Sequence, residues 1–218
     1  MKKFQLEGIP REVLGKKAVK AIRNEGSIPA ILYGSDPVAL PYKGELNKGE
    51  TLVETDDGKG VVVTNFAVTK DAVHGLIYTP EIFLVELSLT GSKKVMAIIK
   101  DMQFQPVNDS VLHIDFLEIF ENKPIVIEVP VKLEGHSEGV KAGGKLSLEM
   151  RKLKVRGLYN DIPEQLTVDI TNLGLGKTIQ VGSLHYDKLE LVNAKNAVVC
   201  AVKLTRAARG AQAAAAGK

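Results

Sequence analysis

The pair in this sequence best placed to do chemistry is His113 and Asp115, two residues apart in VLHIDFLEI (111–119). On a β-strand, residues two apart share a face, so imidazole and carboxylate would lie side by side and could move a proton. No nucleophile accompanies them, and the same couple serves equally well for hydrogen bonding or charge balance on a strand surface. His74, His136 and His185 are scattered without a His-x-x-x-His or Glu-flanked pair, so local spacing assembles no metal site. Gly176-Lys177-Thr178 resembles the end of a phosphate-binding P-loop, but Thr171 occupies the position of its first glycine. GVKAGG (139–144) lacks the glycine spacing of a dinucleotide loop, and both segments read as turns. Cys200, the single cysteine, sits in the apolar run AVVCAV and has no second thiol for a disulfide or a metal cage. No enzymatic activity, metal or cofactor is expected; a hydrolase built on His113 and Asp115 is a rival reading, and it requires turnover that His113→Ala abolishes.

The same strand suggests a different use. Leu112, Ile114 and Phe116 alternate with the polar pair and suit a core, which turns His113 and Asp115 outward. A β-surface carrying carboxylate, imidazole, amide and phenol can read RNA: carboxylates accept from guanine amino and imino groups, rings stack, and amides bond base edges. Tyr33, Gln103, His113 and Asp115 are the candidates for such a surface. Arg11, Lys16, Lys17, Lys20 and Arg23 could add phosphate contacts beside it. Net charge is only +3, but residues 1–34 carry seven basic against three acidic side chains, and 203–218 carry four basic and no acidic ones. A basic beginning of this kind suits phosphate binding by counterion release, and also arises from solvated lysines of no function.

The elements that must position these groups follow from periodicity. FQLEGIP alternates as a strand over 3–9, closed by Pro10. Between Glu12 and Gly26, Leu14, Ala18, Ala21 and Ile22 recur at helical spacing, with Lys16, Lys20 and Arg23 around the other side. Gly26 suits the position after the helix, Pro29 stops continuation, and 28–34 reads as a short buried strand. Further strands are expected at 60–66, 81–89, 94–100 and 111–119, with a helix near 69–76 that Thr69 caps and Asp71 complements. A second, largely β unit begins near residue 122, with strands at 124–133, 145–157, 164–170, 178–181, 188–192 and 197–204. The ending TRAARGAQAAAAGK reads as a frayed helical or disordered basic tail. With 218 residues at 44% hydrophobic content, two modest cores are expected. No apolar run reaches the roughly 20 residues of a membrane helix, and no signal peptide is evident, so a cytoplasmic location is expected.

Two segments, GKKAVKAIRNEGSIPAILYG (15–34) and IIKDMQFQPVNDSVLHIDFLEI (98–119), resemble the signature pair of the ribosomal protein L twenty-five family. VPVKLEGHSEGVKAGGKL (129–146), NDIPEQLTVDIT (160–171) and GKTIQVGSL (176–184) are similar to the extra domain of its long form, also called general stress protein Ctc. The resemblance spans roughly 3–204 and implies a mainly β (α+β) protein. Residues 1–121 would form a 5S-rRNA-binding β-barrel with a few helices, 122–204 a β-rich domain, and 205–218 a basic alanine-rich tail. It implies binding to an irregular, non-Watson-Crick region of 5S ribosomal RNA through Arg11, Lys17, Arg23, Tyr33, Gln103, His113 and Asp115, with Lys16, Lys20 and Lys100 as further candidates. It also implies a place in the large ribosomal subunit, next to other ribosomal proteins, for a chain that is monomeric when free and takes no membrane, cofactor or small-molecule substrate. Gln105 stands where many members carry histidine, which replaces any imidazole contact with an amide one or none. The competing reading is a protein-interaction module with only nonspecific RNA affinity.

Overall fold

The computed structural model describes residues 2–34, 46–54, 59–79, 81–89, 94–206 and 208. It divides into two units, Met1–Lys123 and Pro124–Lys218.

In the first unit the elements run β1 (Lys2–Pro10), α1 (Lys16–Asn24), β2 (Ser27–Tyr33), β3 (Glu50–Glu54), β4 (Gly60–Thr69), α2 (Lys70–Ile77), β5 (Phe83–Leu89), β6 (Lys94–Phe104) and β7 (Val111–Glu118). The strands are ordered β1-β5-β6-β7-β2-β4-β3, and a β1–β4 pairing at Ile9↔Ala67 and Pro10↔Phe66 closes the first six into a barrel. Closure pairs strand edges that would otherwise invite association. Pro10 is tolerated because it sits at the end of this short seam, and the next amide, Arg11 N, donates to Asn65 O at 2.9 Å. Alternate residues point inward: Leu6, Ile28, Ala30, Leu32, Phe66, Val68, Val85, Leu87, Ile114 and Phe116 form one core. Phe66 and Phe116 are fully buried, with ring centres 5.7 Å apart. Burying each contributes about 2–3 kcal/mol.

Helix α1 is shorter than its periodicity suggests. Gly15 precedes it with φ 112 and no side-chain cap, and Leu14 is left outside the helix, half exposed at 49%. No residue of α1 is fully buried; Ala18, Val19 and Ile22 are half-buried and Ala21 is exposed. Gly26 adopts φ 80 after the helix, as expected of a residue that ends one. Thr69 does occupy the cap position of α2, but its hydroxyl makes no capping bond, so Asp71 in the first turn carries the favourable charge.

The β6–β7 pairing is interrupted twice. Ile99 pairs with Phe116 and Asp101 with Asp115, so Lys100 is an extra residue; a second shift between Gln103 and Phe104 sets Phe104 opposite Val111. The second shift explains a departure from simple alternation. Val111 (7% exposed) joins the core with Ile114 and Phe116, while Leu112, expected there, is only half-buried.

The second unit contains β8 (Ile125–Glu134), α3 (Glu138–Lys141), β9 (Lys145–Leu148), β10 (Lys152–Gly157), β11 (Leu166–Asp169), β12 (Thr178–Gln180), β13 (Glu190–Leu191) and β14 (Val198–Lys203). They form a four-stranded sheet, β11-β8-β10-β13, and a three-stranded one, β12-β14-β9. Along β8, Ile125, Ile127 and Val129 are buried while Val126 and Glu128 face solvent. The single strand expected over 145–157 is two strands in different sheets, because Glu149 N and Met150 N both donate to Val199 O and turn the chain. The glycine-rich segment after β8 holds the one-turn α3, capped by Ser137, whose hydroxyl also donates to Leu173 O at 2.5 Å. Cys200 is fully buried, and burial pushes its thiol up, against a backbone hydrogen bond that lowers it; the group is a core hydrophobe. At the start of the tail, Thr205 Oγ1 donates to Gly143 O at 2.6 Å and accepts from Ala208 N at 3.2 Å, with Ala208 only 3% exposed. Thr205 and Ala208 are thereby held at the start of the tail; Ala207 and residues 209–218, where the rest of the expected tail falls, lie outside the described residues. Among the described residues, no helix is long and apolar enough to cross a membrane.

Candidate nucleic-acid interface

The barrel's outer face over β2, β7 and β6 gathers the polar candidates into rows. Gln103 stands directly across from His113, and Asp101 directly across from Asp115. On the other side of β7, Ile31 is level with Asp115 and Tyr33 with Leu117. The extra residue in β6 decides what this face shows. A bulge lets two consecutive residues oppose one, so Asp101 and Gln103 face outward while Met102 packs against the core. The displaced Lys100 reaches over the Tyr33 ring, its Nζ 5.2 Å from the ring centre, a cation–π contact worth about 0.5–1 kcal/mol at an exposed site.

Electrostatics keep these groups available. His113 Nδ1 lies 2.7 Å from Asp115 Oδ1, but that buried oxygen has no partner aligned as a hydrogen bond among the described residues. Burial, and then the Asp115 charge, hold the Tyr33 phenol above its ordinary range, so at neutral pH it is an O–H donor. Gly34 follows Tyr33 at φ 141, where any Cβ would collide with Glu118 Cβ; only glycine lets β2 end against β7 at this point.

Cations border the face. Arg11 Nε is buried without a hydrogen-bond partner among the described residues, and burial followed by the Arg23 charge lowers the guanidinium's pKa. Two guanidinium groups repelling each other favour an anion between them. Arg23 departs from expectation, because it does not share a solvent face with Lys16 and Lys20. Its Nε and Nη2 fork onto Leu112 O at 3.2 and 2.8 Å, tying α1 to β7 beside His113. Lys16, Lys17 and Lys20 are exposed on α1. Gln105 turns inward to its own loop, where its Oε1 accepts from Ser110 Oγ at 3.2 Å.

The structure thus brings Tyr33, Lys100, Gln103, His113 and Asp115 onto one sheet face, holds Arg23 against its edge, and leaves Lys16, Lys17 and Lys20 on the helix. Asp101 belongs to this face and was missed; the signal was its place two residues before Gln103, obscured by the lysine that the bulge displaces. Among the described residues, no group of three His, Cys, Asp or Glu side chains could hold a metal ion. The His113–Asp115 pair has an amide and a carboxylate, Gln103 and Asp101, as its neighbours in register on β6.

A closed barrel with a cation-bordered polar face, followed in the chain by a second β unit, makes this a mainly β protein of two units. The chain belongs to the ribosomal L25 family in its long form: residues 6–54 and 56–116 match the Ribosomal L25p family, and 124–206 match the C-terminal domain of ribosomal protein TL5. It is 58% identical over 218 residues to the large ribosomal subunit protein bL25 of Parabacteroides distasonis, covering 98% of this chain and 99% of that one. To the protein of the same name from Porphyromonas gingivalis it is 60% identical over 211 residues, 97% of each chain. To that of Phocaeicola vulgatus it is 53% identical over 218 residues, the whole of both.

Proposed function

We propose that this chain is a structural component of the large ribosomal subunit in the cytoplasm, and that its barrel binds an irregular region of 5S ribosomal RNA through the β2–β7–β6 face. The observation that carries this reading is the grouping of Tyr33, Gln103, His113 and Asp115 on one outward face, bordered by Arg11, Arg23 and Lys100. The names of the relatives support the ribosomal part, and the donor and acceptor types support RNA.

Groove geometry supplies the selectivity. The major groove of regular A-form RNA is too deep and narrow for side chains, whereas noncanonical pairs reshape it and expose base edges. Phosphate contacts from Lys16, Lys17, Lys20 and Arg11 contribute much of the affinity and weaken with salt. Tyr33 offers an O–H and a ring, Gln103 an amide that both donates and accepts, and Asp115 an acceptor.

The test is a titration of the full chain against its own 5S RNA and against a regular RNA duplex of equal length, each at two salt concentrations. Strong preference for 5S RNA is expected. Equal, weak and salt-sensitive binding to both would overturn the reading and favour a protein-interaction module with nonspecific RNA affinity.

A further inference from the structure

We propose that Asp101 is a specificity-determining residue of the barrel face, a second carboxylate that accepts hydrogen bonds from base amino or imino groups beside Asp115. The inference rests on the RNA-binding reading above and adds to it a residue and a mode of selection.

The argument begins with an unfavourable placement. Asp101 and Asp115 are direct cross-strand partners on an antiparallel ladder, where Cβ atoms lie about 4.5–5.5 Å apart and like charges destabilise. Among the described residues, neither carboxylate is held in an ion pair with lysine or arginine, although the border of the face is cationic. Lys100, next in sequence to Asp101, is the obvious candidate to neutralise it. The bulge sends that ammonium to the Tyr33 ring instead.

Asp101 is also aimed. It is exposed, and its Oδ1 accepts from Met102 N at 2.8 Å, a bond that restrains the carboxylate and uses one of its two acceptor oxygens. A carboxylate repels phosphate, so in an RNA-facing surface it adds nothing to nonspecific attraction. Its favourable partners are N–H groups, which RNA presents on the edges of guanine, cytosine and adenine. Two such acceptors side by side at the centre of a cationic border therefore reject backbone and admit base edges. The cations supply attraction, and the paired carboxylates supply choice.

The experiment compares the full-length chain with Asp101→Asn, which keeps an oxygen for Met102 N, and with Asp101→Ala, using His113→Ala as the control for the face. Each is titrated against cognate 5S RNA and a regular duplex, with and without magnesium, after a thermal melt confirms folding. Asp101→Asn is expected to lower the preference for 5S RNA about tenfold, mainly through weaker 5S binding, with its salt slope unchanged. A melting temperature equal to or above that of the parent agrees with relief of like charge. If Asp101→Asn and Asp101→Ala keep full preference while His113→Ala loses it, Asp101 has no such role and the face reading survives. If all three bind as the parent does, both readings fall. A loss seen only with magnesium overturns the proposal in favour of a cation held between carboxylate and phosphate.

Discussion

On the outer face of the second unit's four-stranded sheet, Lys154 stands across from Glu128 at 3.8 Å, and Arg156 across from Glu190 at 3.9 Å. Lys132 adds a third contact at 3.6 Å to Glu134 on its own strand. On the barrel's outer face the cross-strand partners are instead Asp101 with Asp115 and Gln103 with His113, and the nearest lysine sits on a phenol ring. Both faces are rich in polar groups, but they differ in completeness. The first pairs opposite charges across its strands, at about 0–1 kcal/mol per exposed pair. The second leaves acceptors opposed and guanidinium groups crowded, a cost that a ligand carrying both N–H donors and phosphates relieves. Counting charged residues would not separate them; register does.

The sharpest way to break this contrast is to truncate matched positions on the two faces. His113→Ala and Tyr33→Ala should each lower affinity for 5S RNA by about 10- to 100-fold with the barrel still folded, while Glu128→Ala and Lys154→Ala should stay within about twofold of the parent. Unchanged binding in the first pair, checked by filter or calorimetric titration, would remove the functional meaning of the incomplete face. Next in size is the tether. Arg23→Gln removes the fork to Leu112 O and should weaken 5S binding about tenfold while speeding hydrogen exchange in α1, whose residues are at most half-buried. Arg23→Lys should restore little, since an ammonium cannot reproduce the fork; normal exchange in Arg23→Gln would show that the helix is held otherwise.

A smaller effect belongs to the solvated lysines. Lys16→Ala and Lys20→Ala should each reduce the salt slope of binding by about 1 while leaving the preference for 5S RNA intact. A slope identical to that of the parent would mean that neither touches phosphate. The smallest effect lies in acid and alkali, where two carboxylates of the second unit and the Tyr33 phenol of the barrel are shifted in opposite directions. A hydrogen bond from Lys203, then one from Ser147, then the Lys203 charge hold Glu149 below the usual carboxylate range, and hydrogen bonds from the Thr171 hydroxyl and amide do the same for Asp169. Their contribution is present above the unfolded carboxylate value of about 4 and is lost as pH falls through the folded values. Tyr33 is shifted the other way, so its contribution is present below about pH 10 and is lost as pH rises through its folded value. Chemical melts across pH should therefore show Glu149→Gln flattening the acid limb of the second unit and Tyr33→Phe flattening the alkaline limb of the barrel.

Much of this was legible in the sequence because alternation and helical spacing report burial directly. Ile125, Ile127 and Val129 against Val126 and Glu128 display one face of β8 without a structure, and His113 with Asp115 displays one face of β7. What escaped was set by contacts distant in sequence. Nothing local marks Arg23 as a tether, since its acceptor is a main-chain oxygen 89 residues away. The turn at Glu149 and Met150 depends on a carbonyl from β14, so 145–157 looks like one strand. β3 went unrecognised because ETLVE is short, carries a glutamate at each end and has no strict alternation. Leu14 was assigned to a helical face that Gly15 prevents from forming.

The extra residue at Lys100 has a consequence for how this strand can change. Downstream of it, every side chain of β6 has its inside or outside assignment set by a count of one. Were Lys100 instead paired in regular alternation opposite Asp115, Met102 would turn to solvent and Asp101 and Gln103 toward the core, whereas deleting Lys100 outright would straighten the strand and keep both faces as they are. The strand therefore has a reading frame in the sense that a coding sequence does. Substitutions along it alter single letters, whereas drawing Lys100 into the ladder would change the meaning of all that follow until the second shift at Phe104, and Lys100 itself could be lost with the frame intact.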